Sequence, residues 1–184
     1  MNRQIIRGFF TFALFAATTW WLNQPTLNIH TPARNAEPKY VLKTALRAER
    51  DFFQKHGCYE TAIESLDFQP EYKNRYLYIF SASGSAQDRT AEPDGGRHTA
   101  LLADTRATPV PVNEELLAAI PTEVLASAGI EGTCPRCEVT IVSAGNSDAD
   151  STVDVWSISS KLRVIDGREV PAGVAFNHVD DSTR

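Results

Sequence analysis

At 184 residues, the chain has room for one domain plus a targeting or membrane segment, and its ordinary globular composition argues against disorder throughout. Its formal net charge of −5 and the lack of any Lys/Arg-rich run argue against nucleic acid as a partner, because phosphate binding needs a basic face.

Arg3 and Arg7 precede an apolar run at 8–22, GFFTFALFAATTWWL. Basic residues ahead of such a run place the N-terminus in the cytoplasm. Counted from Ile5, with Arg7 snorkelling, the stretch approaches a bilayer span, and Trp20 and Trp21 stand where an interfacial belt belongs. Residues 1–22 therefore read as a transmembrane signal anchor, preferred over a cleaved signal peptide because no small-x-small site follows. A buried core helix is the third reading. The anchor would hold the protein in the inner membrane by a single pass, with its domain in the periplasm or outside the cell.

Residues 23–38 carry Pro25, Pro32 and Pro38 among polar residues and read as a linker. From 39 to 184 the pattern is that of an extracytoplasmic α+β domain. Val41, Leu42, Ala45, Leu46, Phe52 and Phe53 recur at helical spacing, with Lys43, Arg47, Glu49 and Arg50 assigned mostly to the opposite face. Pro38 suits the start of this helix and Gly57 its end. RYLYIF at 75–80 predicts a strand, and the small, polar stretch 81–99 predicts a loop. Asn113 and Thr122 are candidate caps for short helices reaching Ala119 and Ala128. Strands are expected at 138–144 and 153–159. A hairpin is expected around Asp166-Gly167, and a loop after Gly173. The order implies an amphipathic helix packed on an antiparallel β-sheet.

Cys134-Pro-Arg-Cys137 is the most distinctive local motif. A thioredoxin-type pair would sit before a helix, whereas the strand-like EVTIV follows here. Haem attachment would need histidine where Glu138 stands. The pair reads first as a disulfide, with Cys58 as an alternative partner for either sulfur. Zinc held by these cysteines with Cys58 and one of His56, His98 or His178 is a competing reading, though no second paired motif exists.

Asn146, Asp148, Asp150 and Asp154 alternate as calcium ligands do in a curled loop. Ser151 replaces the glycine of an EF-hand and Ser157 its closing glutamate, so any calcium site would be of another kind. The competing reading is a solvated acidic turn. No nucleophile elbow, phosphate loop or catalytic carboxylate pair appears, so nothing favours an enzyme. A thiol oxidoreductase built on Cys134 and Cys137 is the one enzymatic alternative.

Two blocks carry a resemblance. The first, at 42–80, runs LKTALRAERDFFQKHGCYETAIESLDFQPEYKNRYLYIF; the second, at 144–159, runs AGNSDADSTVDVWSIS. In order and spacing they resemble the type IV pilin and pseudopilin family, especially pilin-like proteins of deltaproteobacterial type. The resemblance covers about half the chain. It implies a long N-terminal helix whose upper half packs on an antiparallel sheet. It also implies a structural role as a filament subunit or a minor subunit that primes one, with other pilin or pseudopilin subunits as partners. Calcium near the C-terminal loop occurs in several secretion pseudopilins, which adds weight to Asp148, Asp150 and Asp154. Arg7-Gly8-Phe9 matches the family's processing signal, with cleavage between Gly8 and Phe9. Ala13 stands about where the family has a glutamate that pairs with a neighbouring subunit's amino terminus.

Overall fold

The computed structural model describes residues 36–92, 95–108, 110–146 and 152–179, all within the unit Thr31–Arg184. The segment read as an anchor, with its Gly8-Phe9 processing site, lies outside the described residues. Among those described, no helix is long and apolar enough to cross a membrane.

Helix α1 spans Ala36–His56. It takes in the last residues assigned to the linker. Pro38 fits in its first turn because the N–H groups there have no intrahelical acceptor to lose. Glu37 in the first turn and Lys55 and His56 in the last complement the helix dipole. Gly57, at φ +73°, ends the helix, and its N–H donates to the Phe53 carbonyl at 2.7 Å. The buried stripe is Val41, Leu42, Ala45, Leu46, Ala48 and Glu49. Burying a leucine contributes about 1.5–3 kcal/mol, so this stripe holds the helix to the sheet. Glu49, expected on the polar face, is fully buried. Position 49 is three residues after Leu46 and four after Ala45, which puts it on the same stripe.

The strands are β1 (Tyr76–Ile79), β2 (Ser85–Gln87), β3 (His98–Leu101), β4 (Gly129–Glu131), β5 (Glu138–Gly145), β6 (Asp154–Ser159), β7 (Arg163–Ile165), β8 (Arg168–Val170) and β9 (Phe176–Val179). Among the described residues they form a seven-stranded sheet in the order β2-β3-β1-β5-β6-β9. The remaining strand of that sheet, β4, pairs β5 at Gly129↔Thr140 through Glu131↔Glu138, on the edge whose other half takes β1. All pairings are antiparallel except β2 with β3, which run parallel. β7 and β8 form a separate hairpin that turns at Asp166 and Gly167, both at positive φ, as a type I′ turn requires. The stretch 81–99 is therefore not one loop, and the tail is not loop throughout. β2 and β9 are short edge strands whose pairing comes from neighbours distant in sequence, so local composition conceals them.

Alternation along the strands sorts the core into two faces. Tyr76, Tyr78, Phe80, Val139, Ile141, Trp156 and Ile158 cluster with α1, while Leu77, Ile79, Val142, Ala144 and Val155 cluster with Leu116, Ile120 and Val124. The second group involves two short helices, α2 (Asn113–Ala118) and α3 (Thr122–Ala126). The central strands are thus covered on both sides, which is why β1, β5 and β6 read as nearly continuous apolar runs. Asn113 does not cap α2. Its side chain clamps Ala103 instead, accepting from the Ala103 N–H at 2.8 Å and donating to the Ala103 carbonyl at 3.1 Å. Thr122 provides no side-chain cap for α3, whose capping position is Pro121.

Candidate functional site

The first constellation lies under the N-terminal half of α1. The register pairs Tyr76 with Gly145 and Gly145 with Asp154, so the three residues form a row across β1, β5 and β6. Gly145 has no side chain, and the Tyr76 ring lies over it. A Cβ built at Gly145 would come within 2.4 Å of that ring. The Tyr76 hydroxyl passes beyond the glycine and donates to Asp154 Oδ2 at 2.8 Å. Both residues are fully buried. Burial, reinforced by the Asp154 charge, raises the Tyr76 hydroxyl far above its ordinary pKa, so it stays a donor. Glu37 on α1 closes the same region: its carboxylate accepts the Arg75 N–H at 2.9 Å, and burial raises its pKa. Lys39 stands 4.9 Å from the centre of the Trp156 ring.

Beside it, residues 36–44 of α1 and the segment 68–74 enclose a groove of about 590 Å³. Its rim is built on Tyr72, whose exposed ring lies 5.2 Å from the Arg89 guanidinium and 5.1 Å from that of Arg106. Arg89 donates to the carbonyls of Pro70 and Glu71 at 2.7 and 3.0 Å and to Asn74 Oδ1. Arg106 grips Asp104 through Nε at 2.9 Å and Nη2 at 2.8 Å, which holds the Asp104 carboxyl well below the usual range.

Of the candidate calcium ligands, Asn146 directly follows β5, half-buried, and Asp154 is the buried acceptor of Tyr76. Asp148 and Asp150 lie outside the described residues. Cys134 and Cys137 are bonded to each other, and Cys58 is a free, half-buried thiol. All three sulfurs lie within 4.8 Å of one another, so the structure brings together the cysteines the motif analysis singled out. The histidines considered with them are engaged elsewhere. His56 stacks on Phe52, His98 Nδ1 lies 2.5 Å from Glu64, and His178 Nε2 lies 2.7 Å from Ser157 Oγ. Ser157 is fully buried and also accepts from Arg163 at 2.6 Å, so this serine–histidine contact offers no accessible nucleophile.

The type IV pilin PilA family matches residues 29–154. The chain belongs to this family. The matched region contains α1, the central strands β1 and β5, and both partners of the Tyr76–Asp154 bond. The type IV major pilin protein PilA of Myxococcus xanthus (strain DK1622) is 27% identical over 144 residues, which covers 69% of this chain and 64% of that relative. The match thus spans a little under two thirds of the relative's length. The helix packed on an antiparallel-rich sheet agrees with the pilin fold.

In this pilin-family domain Tyr76 and Gly145 lie within the two blocks of family resemblance, but neither they nor Asp104 stood out as site residues. Gly145 ends β5, one residue past the strand expected at 138–144, so its place under the Tyr76 ring was not legible as a glycine within a strand. The asparagine-aspartate alternation drew attention to Asp154 as a ligand, while its bond to Tyr76 depends on strand order that spacing does not encode.

Proposed function

We propose that this chain is a non-enzymatic, membrane-anchored pilin-like protein, a minor or divergent structural subunit of a type IV pilus or type II secretion filament. The observation that carries this reading is the family match over residues 29–154, which includes the whole of α1 and the Tyr76–Gly145–Asp154 row. In this reading, residues 1–22 anchor the subunit in the inner membrane before assembly. Prepilin-type cleavage after Gly8 would leave Phe9 as the first residue of the mature subunit. The domain then stands in the periplasm or outside the cell, with other pilin or pseudopilin subunits as partners. Ala13 in place of the family's glutamate favours a minor position over a major one, because an amino-terminal charge pair would be missing. A looser calcium site at Asn146, Asp148, Asp150 and Asp154 is part of the same proposal.

The test is to shear surface filaments from the producing cell, probe them for the full-length protein's domain, and sequence its amino terminus. The proposal expects the protein in the filament fraction or cross-linked to a pilus or secretion component, with a start at Phe9. Absence from both would overturn it. A second reading, a free-standing periplasmic accessory domain on the same fold, is favoured by Ala13 and the prolines of the linker. Recovery from sheared filaments would eliminate it.

A further inference from the structure

Cys58 follows the glycine that ends α1, and Cys134 and Cys137 flank the turn between β4 and β5. The disulfide there closes a sequence separation of 3. With all three Sγ atoms within 4.8 Å of one another, a free thiol stands beside a disulfide, and these are the two reactants of thiol–disulfide exchange. We propose that Cys58 exchanges with this disulfide within one chain, attacking Cys137 and releasing Cys134.

The step needs no external oxidant or reductant. Solvent takes the proton from the Cys58 thiol. The thiolate's electron pair forms a Cys58–Cys137 bond. The Cys134–Cys137 bond breaks with its electron pair moving to Cys134, which then takes a proton from solvent. One disulfide and one thiol are present before and after.

Burial sets the direction. Cys137 is 4% exposed, whereas Cys134 is partly open to solvent. A thiolate leaving on Cys134 keeps some of its hydration, while one leaving on Cys137 would be desolvated. On the attacking side, Cys58 is itself only half-buried. The consequence is topological. The Cys134–Cys137 bond clips one turn. A Cys58–Cys137 bond would staple the end of α1 to the start of β5 and enclose β1 to β4 with both short helices. A longer closed loop restricts the unfolded chain more, so the exchanged form is the better-tethered one.

The experiment uses the full chain, purified without reductant. One sample is quenched in acid at once, and another is held at mildly alkaline pH without added oxidant before quenching. Both are then alkylated, and their disulfides are mapped by mass spectrometry on the band that runs as monomer in non-reducing electrophoresis. The expected result is a shift of label from Cys58 to Cys134, with a Cys58–Cys137 linked peptide. In Cys58→Ser the Cys134–Cys137 bond should persist and Cys134 stay unlabelled. Should that variant fail to fold, the wild-type map decides alone. Label confined to Cys58, or a bond between Cys58 and Cys134, overturns the proposal.

Discussion

The Tyr76 hydroxyl on β1 donates to the Asp154 carboxylate on β6 at 2.8 Å, crossing β5 at Gly145. This contact joins the two sequence blocks that carry the family resemblance, which lie 78 residues apart along the chain at these positions. It lies on the sheet face that α1 covers, so β1 and the paired strands β5 and β6 share one buried polar anchor beneath the helix.

Tyr76→Phe leaves the buried Asp154 carboxylate without this hydroxyl. Loss of one partner of a buried hydrogen bond to a charged group costs about 1–3 kcal/mol. A urea titration followed by circular dichroism should show a midpoint reduced accordingly, with the slope unchanged. An unaltered midpoint would mean that the bond contributes nothing.

Gly145→Ala tests the floor beneath the ring. The new methyl would stand 2.4 Å from Tyr76 ring atoms, so the ring or strand must move. Overpacking of this kind costs about 1–3 kcal/mol. Because the two sites touch, Gly145→Ala combined with Tyr76→Ala should be less destabilising than the sum of the single changes. Strict additivity of the measured unfolding free energies would refute the contact.

Glu49 should make the domain less stable as pH rises. Burial lifts its carboxyl from 4.5 to about 8, although the Glu60 N–H donating to Oε2 at 3.1 Å pulls the other way. Between pH 4.5 and about 8 the folded state holds a proton that the unfolded state releases, so stability falls across that window and levels off above it. Glu49→Gln keeps the shape without the charge. Thermal melts of this variant should lose that part of the decline and exceed the parent at pH above 8.

Asp104 acts with the opposite sign. Its hydrogen bonds to Arg106, with those from the backbone N–H groups of Lys73 and Arg106, depress its pKa from 3.8. The stability this contributes is present above pH 3.8 and is lost as pH falls through the lower, folded-state value. Asp104→Asn should therefore unfold at lower urea than the parent at neutral pH, and the gap should narrow as the solution is acidified below 3.8. A gap that stays constant with pH would show that the charge is irrelevant there.

The amphipathic period of α1, the stop at Gly57, the runs that become β1, β5 and β6, and the Asp166-Gly167 turn were legible in the sequence because each is set by neighbours a few residues away. The cysteines and the family blocks were legible as motifs. Only the tertiary structure decided the parallel pairing of β2 with β3, the edge strand β9, and the diversion of Asn113 from capping to clamping Ala103. It also decided that Tyr76 reaches Asp154 over Gly145 and that Cys58 comes to rest beside Cys134 and Cys137. These features depend on which strands lie side by side and where a helix end meets a distant turn. Such contacts form between residues ten or more positions apart in the chain, beyond the reach of a helical or strand period, and no local pattern of side chains records them.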